Sequence, residues 1–416
     1  MATITVMQNY LLMLGKSYLK SYAGLPTSCW RGVALSLTES TLMGVFYFLS
    51  IYFVNDLHID IATAGRIISC WGLGAIVGGY LGGKLSDKIS PGNTLAYSLL
   101  IQAIGYLLLI KIQTPNLLMV NLFVLGGATY SSITSNYTWV LKQCAEVEPQ
   151  RLKAINILST ASNLGLGLSA VIISLVARYG FQYIFAMSGL IIASVAGYLI
   201  LQERKQDKPN VIKPNSINSS NPHTDLAIKH NDRAIIMVVL GCVLSIGSVV
   251  SQLNSTYPIY INATFPHLGI NAVGILFTLN SLIVVLFETP IGNIIGNYNK
   301  IFMIRLSSFF IGFGMLMLSF SSLFSFAILA CIIYTLGEIV FFCMAQLICY
   351  QKAEGNKKGH NLGLYRMVYA TSRVVGPACG GYIYLQFGGN IVWYVCGVVG
   401  FMSLIVCNYY RKSESF

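Results

Sequence analysis

Thr63–Gly83 reads TAGRIISCWGLGAIVGGYLGG, and KLSDK follows at Lys84–Lys88. The run carries a single charge, Arg66, near its start, and is as long as a helix must be to cross a hydrocarbon layer about 30 Å thick. The polar tag then ends it. Apolar runs closed by short polar punctuation recur along the chain at approximately 32–54, 93–112, 117–140, 154–177, 181–201, 234–261, 270–294, 301–321, 324–350, 361–384 and 391–409. Together with 63–83 they make twelve. Composition agrees: 55% of the 416 residues are hydrophobic, 10% are charged and the mean hydropathy is +0.68, against roughly a quarter charged in a soluble chain. The fold class expected is an all-α polytopic membrane protein with about twelve transmembrane helices in two pseudo-symmetric six-helix bundles.

Lys16 and Lys20 interrupt the apolar stretches of the first 27 residues, and no small-residue cleavage pattern follows. An interfacial cytoplasmic helix is expected there, not a removed signal peptide. Ten cysteines without a CxxC pair do not make a disulfide framework, and Cys70, Cys242, Cys331, Cys343 and Cys396 lie inside spans as small apolar residues.

The net charge of +12 is explained by where the basic residues fall. Of the 26 Lys and Arg, 21 lie at the termini or in the loops after even-numbered spans. Arg66, Lys111 and Arg178 lie at the other ends, and Arg366 and Arg373 lie within span eleven. The positive-inside rule then places both termini and the loop after span six in the cytoplasm of a cell whose inner, or plasma, membrane holds the chain. The basic excess needs no nucleic-acid partner.

Residues 203–233 are polar and rich in Asn, Ser and Pro, with no apolar period. They read as a cytoplasmic linker between an N-terminal six-helix half, 1–202, and a C-terminal half, 234–416. The halves echo each other. LGG at Leu125–Gly127 answers LGE at Leu336–Glu338, 211 positions later, and GKLSDK at Gly83–Lys88 answers GNIIGN at Gly292–Asn297. Two such pairs at nearly one offset predict a duplicated architecture of the kind transporters use.

Gly83-Lys84-Leu85-Ser86-Asp87-Lys88 resembles the G-x-L-[AS]-D-[RK] loop of the major facilitator superfamily, and the likeness extends over essentially the whole chain. The resemblance implies two rocking halves and a gating latch in which Gly83 lets helix ends approach while Asp87 and Lys88 supply charge. Ser90-Pro91-Gly92 departs from the family's basic continuation, which leaves the full charge network open. Gly376-Pro377 and Gly380-Gly381 look like the family's small-residue face in span eleven, whereas the corresponding place in span five holds Ser169-Ala170 in place of the Gly-Pro associated with antiporters. Asn121 stands near the family's common basic position in span four. Gln252–Tyr260 and Gly337–Phe342 resemble the bacterial multidrug-efflux-like branch.

A charge near mid-span costs at least ~2.5 kcal/mol on insertion scales, so such residues mark cavities and ion paths. Glu39 in span one and Glu338 in span ten are the proton-coupling candidates, Glu338 being the principal one, because the resembled fold lines its central cavity with these spans. Glu288, near the end of span eight, reads as a gating or packing residue. Arg373 cannot lose its proton and requires either a carboxylate such as Glu338 or an anionic ligand, with Arg366 seven residues earlier on the same face. Both alternatives stand at this point. Tyr130, Asn136, Tyr137, Gln252, Asn254 and Tyr257 are the remaining substrate-cavity candidates, with interhelical hydrogen bonding as the competing role for each, as it is for Ser135 and Asn280.

The function expected is proton-coupled secondary active transport by alternating access, directed to efflux of small amphipathic organic molecules. The alternative is export or uptake of a specific anionic metabolite, such as a carboxylate-type siderophore or organic acid. An enzyme is not expected: the five His, at 58, 223, 230, 267 and 360, lie outside the apolar cores, and neither HExxH nor GxxxxGK[ST] occurs. No catalytic residue, metal site or cofactor is therefore expected. The partners are a small-molecule substrate, protons and the lipid bilayer, with the chain working as a monomer.

Overall fold

The computed structural model describes residues 25–143, 148–206, 230–295, 298–320, 323–351 and 358–414. Twelve helical segments run through them: α1 (residues 27–56), α2 (Ile61–Lys88), α3 (Pro91–Leu108), α4 (Pro115–Gln143), α5 (Glu148–Val176), α6 (Phe181–Gln206), α7 (residues 230–264), α8 (Ile270–Ile295), α9 (Lys300–Met317), α10 (Phe324–Gln351), α11 (Lys358–Phe387) and α12 (Gly389–Glu414). No strand occurs among the described residues. The interfacial helix expected in the first 27 residues and most of the 203–233 linker lie outside them, although α6 continues to Gln206 and α7 begins at His230.

Nine of the described helices are long and apolar enough to cross a membrane. The other three are α3, α11 and α12, and α12 offers a shorter apolar stretch, Gly389–Ile405. Among the polar residues of α3 and α11, Ser98, Gln102 and Ser372 are buried, whereas Arg366 and Gln386 are exposed.

Packing partners repeat at a shift of six helices. The pairs α2–α4, α3–α4, α3–α6 and α1–α5 return as α8–α10, α9–α10, α9–α12 and α7–α11. The contacts between halves, α2–α11 and α5–α8, are equivalent to each other under the same shift. The turns repeat too. His58, between α1 and α2, and Gly269, between α7 and α8, both have φ +54°, a left-handed conformation in which His is among the tolerated exceptions. They are 211 positions apart, the offset read from LGG and LGE.

Lipid gives helices little hydrophobic reason to associate, so small residues that let backbones touch do much of the joining. A Cβ on Gly74 or Gly78 of α2 would overlap the carbonyl oxygens of Phe123 or Gly127 in α4. The seam between halves is built alike: a Cβ on Gly65 would overlap the Pro377 carbonyl, and one on Gly381 would lie 2.8 Å from that of Ile61. Ser69 Oγ donates to the Val374 carbonyl across the same seam at 2.7 Å. On α5–α8, a Cβ at Gly274 would stand 3.0 Å from the Ala170 carbonyl.

These seams lie toward the end where α1 finishes and α2 begins, here the far end. The other, where α2 stops at Lys88 and α4 passes Lys142, is the basic end. The equivalent helices α1 and α7 are both interrupted between the two, by 3-10 turns at Gly44–Phe48 and Ser251–Asn254. In α7 the interruption is held by α11, whose Gly376 carbonyl accepts from Gln252 Nε2 at 2.8 Å and whose Ser372 carbonyl accepts from Ser251 Oγ at 3.3 Å.

Candidate functional site

Between the halves lies a cavity of about 570 Å³ walled by α1, α5, α7, α8, α10 and α11. Its aromatic surface comes from Tyr47, Phe48, Phe277, Phe342 and Tyr369, and its polar groups include Asn163, Asn254, Asn280 and Gln346. Tyr47 and Phe48 reach across the halves to Phe277, with ring centres 4.8 and 5.9 Å apart, and Tyr257 packs behind them on the same ring at 5.9 Å. This aromatic plug closes the far end. Glu288 and Gln346, both exposed, line the wall toward the basic end, where the cavity opens.

The cavity's charges, Glu288, Glu338 and Arg373, all belong to the second half. Glu338 is half-buried, with Asn280 beside it, and Asn280 Nδ2 donates to Thr335 Oγ1 at 2.8 Å. Arg373 sends Nη1 to the Tyr130 hydroxyl at 2.5 Å, and its guanidinium carbon lies 5.4 Å from the Trp71 ring centre and 5.9 Å from that of Tyr369. No carboxylate of a described residue comes within 4.0 Å of it. Of the two alternatives open for Arg373, pairing with Glu338 is thus not made in this conformation. The cation is held by hydroxyl and ring faces, which support its charge without neutralising it.

Glu39 is placed elsewhere. It is buried inside the first half and is not part of the cavity wall. Its Oε1 accepts from Gln102 Nε2 at 2.9 Å and from Ser132 Oγ, joining α1 to α3 and α4. The expectation that both acids face one cavity is corrected to one in the wall and one enclosed beside it.

The remaining candidates divide by who satisfies their polar groups. Asn254 lines the cavity, and its buried Oδ1 has no hydrogen-bond partner. Tyr130 meets the site through Arg373. Asn136 instead ties α4 to α1, donating to the Gly32 carbonyl at 3.0 Å and Ser36 Oγ at 2.9 Å. Gln252 bonds the backbone of α11, and fully buried Tyr257 accepts from Tyr334 at 3.3 Å. Tyr137 is half-buried beside the Val33 and Val140 cluster. These four lie outside the cavity wall; Asn136, Gln252 and Tyr257 bond to neighbouring helices, although Asn136 Oδ1, like that of Asn254, is left without a partner. Trp71, Tyr369 and Tyr47, which surround Arg373, and Gln102 and Ser132, which hold Glu39, escape a sequence reading. Gln102 alone leaves a trace there, as a lone amide in the apolar run LLIQAIGY.

GKLSDK forms the last turns of α2, not a loop, and α3 starts at once with Ser90 capping Asn93 N at 3.0 Å and Pro91 in its first turn. Gly83 is not the close-approach glycine: a Cβ there would meet only Thr134 Cγ2, at 3.9 Å, whereas at Gly82 it would lie 2.6 Å from Ser131 Cα. Asp87 and Lys88 are exposed, and neither forms an ion pair with a described residue.

The sequence profile of the Major Facilitator Superfamily matches residues 32–377. Among curated proteins, the uncharacterized MFS-type transporter YttB of Bacillus subtilis is 23% identical over 350 residues, covering 82% of this chain and 83% of YttB. The multidrug resistance protein MdtG of Serratia proteamaculans is 27% identical over 145 residues, 35% of each chain. Among solved structures, the nucleoside transporter NupG superposes with a TM-score of 0.75 at 15% identity, covering 94% of this chain and all of NupG. A profile match over most of the chain, joined to two equivalent six-helix bundles around a central cavity, makes this protein a member of the Major Facilitator Superfamily, a membrane-embedded secondary transporter and not an enzyme.

Proposed function

We propose that the chain is a proton-coupled exporter of small amphipathic organic molecules, working by alternating access as a monomer in the plasma membrane. In this reading the halves 1–202 and 234–416 rock about the cavity, joined by the cytoplasmic linker 203–233, and the basic end faces the cytoplasm. The clustering of 21 basic residues on one side supports the orientation, and thiol labelling of a cysteine placed at 215 in intact cells tests it. The similarity to MdtG, named a multidrug resistance protein, supports the substrate class.

The observation that carries the coupling is Glu338, an acid half-buried in the wall of the cavity that the substrate must enter. A carboxyl there changes charge as the cavity hydrates and closes, and Arg373 is the cation available to it when the walls move. Glu39 is the second coupling candidate. In proteoliposomes with an imposed proton gradient, Glu338→Gln is expected to abolish uphill accumulation while substrate exchange continues. Accumulation at the wild-type level removes Glu338 from the role and passes it to Glu39.

A second reading is favoured by one fact: Arg373 has no carboxylate partner among the described residues. It makes the substrate a specific anionic metabolite, of the organic-acid or carboxylate-siderophore kind, whose carboxylate completes the Arg373 and Tyr130 site. Competition decides between the two. Displacement of bound substrate by lipophilic cations supports the first reading, and displacement by polycarboxylates supports the second.

A further inference from the structure

Gln102 is wholly buried and uses only one end of its carboxamide. Nε2 faces Glu39 Oε1 at 2.9 Å, Ser132 Oγ at 2.8 Å and the Ala128 carbonyl at 3.5 Å. The other end, Oε1, is buried without a hydrogen-bond partner. A carboxamide offers two donors and one acceptor oxygen, and an ionised carboxylate only accepts, so this orientation matches an ionised Glu39. It leaves an acceptor stranded.

A protonated Glu39 reverses the requirement, because it now has an O–H to donate. Ser132 Oγ can receive it while giving its own hydrogen to the Thr129 carbonyl at 2.8 Å, and the stranded Oε1 is the second acceptor in reach, since a half-turn of the amide exchanges the two ends in nearly the same volume. No other charge competes. The described residues of α3, Pro91–Leu108, and of α5, 154–176, include no charged side chain among those facing this node, and the charges of α2 and α4 lie at their ends. Tyr106 of α3 is the other titratable group beside Glu39, and Ser132 is the neighbour from α4.

We propose that Glu39 is a second proton-binding site, closed off from the substrate cavity, and that the Gln102 carboxamide turns over whenever Glu39 gains or loses its proton. The proposal rests on the reading that transport is proton-coupled, and it assigns Gln102 as a positioning residue. With Glu39 ionised, the amide ties α1, α3 and α4 together. With Glu39 protonated, Nε2 leaves Ser132 and the Ala128 carbonyl, and the tie between α3 and α4 is released. The proton comes from solvent, the bond formed is the Glu39 O–H, and nothing else is transferred.

The test is infrared difference spectroscopy across a pH step on the full-length protein in lipid nanodiscs, carrying Glu338→Gln and Glu288→Gln so that both cavity acids are silent. Glutamine side chains are isotope-labelled. Acidification is expected to produce a carboxylic acid band together with a shifted glutamine amide band, and both are lost when Glu39→Gln is added. Gln102→Met removes the amide change and, with Glu338 intact, displaces the pH profile of transport without changing substrate affinity. A Glu39 carboxyl band with no amide change overturns the switch. Absence of that band at every pH overturns the site, and bands that follow sodium at constant pH overturn the proton as its ligand. Because Glu338 and Glu288 are silent here, failure of the Glu338 reading leaves these outcomes unaffected.

Discussion

Arg373 of α11 is hydrogen-bonded through Nη1 to the Tyr130 hydroxyl of α4 at 2.5 Å, so a cation of the second half is anchored on the first. The bond spans the interface that alternating access must rearrange. A hydroxyl partner leaves the full positive charge in place, whereas a carboxylate would cancel it.

Arg373→Lys keeps the charge but loses the planar fork that both grips Tyr130 and lies against Trp71. Loss of one charge-assisted hydrogen bond, about 1.5 kcal/mol, predicts roughly tenfold weaker binding of a carboxylate-bearing substrate. Tyr130→Phe is expected to have a smaller effect in the same direction. Equilibrium binding to purified variants checks both, and unchanged affinity in Arg373→Lys sets aside a direct contact.

Asp87 stands exposed and without an ion pair to any described residue while the basic end is open. A latch formed only in the opposite state contributes to switching and not to folding. Asp87→Asn is expected to slow transport about two- to fivefold, the effect of losing a surface pair worth 0.5–1 kcal/mol, with yield and insertion unchanged. Wild-type initial rates in vesicles would count against the latch.

Asp60, in the turn before α2, accepts from Thr63 N at 2.9 Å, and its bonds to Thr63 hold its carboxyl below the ordinary aspartate range. A folded value depressed in this way stabilises the protein above the unfolded value and is lost as pH falls through the folded one. Asp60→Ala is therefore expected to cost about 1 kcal/mol near neutrality, the usual worth of an N-cap. The gap to wild type should close as pH drops below about 3.9. Thermal unfolding in detergent at several pH values measures it.

His58 occupies the left-handed position that Gly269 fills in the equivalent turn of the second half. Relief of roughly 1–2 kcal/mol of strain exceeds the roughly 0.5–1 kcal/mol of added chain entropy, so His58→Gly is expected to stabilise by about 0.5 kcal/mol. His58→Val should destabilise. A lower apparent Tm for the glycine variant contradicts the assignment of strain.

Much of the architecture was legible before any coordinate. Apolar runs bounded by Lys and Arg place all twelve helices to within several residues, because a bilayer imposes one length on every crossing segment. The site was less so. Glu338 and Arg373 are conspicuous in a sequence because a charge in a span is rare, and both stand in the cavity wall. Glu39 is just as conspicuous, yet it is enclosed. Which way a mid-span residue points depends on the rotation of its helix, and near-uniform apolarity leaves that rotation unspecified. The polar candidates suffered from the same ambiguity: Asn254 faces the cavity, while Gln252, two residues earlier on the interrupted turn, bonds to α11. Tyr47, Trp71 and Tyr369 went unnoticed because an aromatic residue in an apolar run looks like any other lipid- or core-facing one.

The glycine seam joining α2 to α11 bears on how the two ends of the molecule respond to their surroundings. Gly65 and Gly381 bring backbone against backbone, so adhesion at that contact depends on fit and should be little affected by ionic strength. The end bearing Lys84, Asp87, Lys88 and Glu288 has the opposite character, since exposed charges separated by water feel a screening length of about 8 Å in physiological salt. Electrolyte on the basic side can thus bias the conformational equilibrium of this carrier.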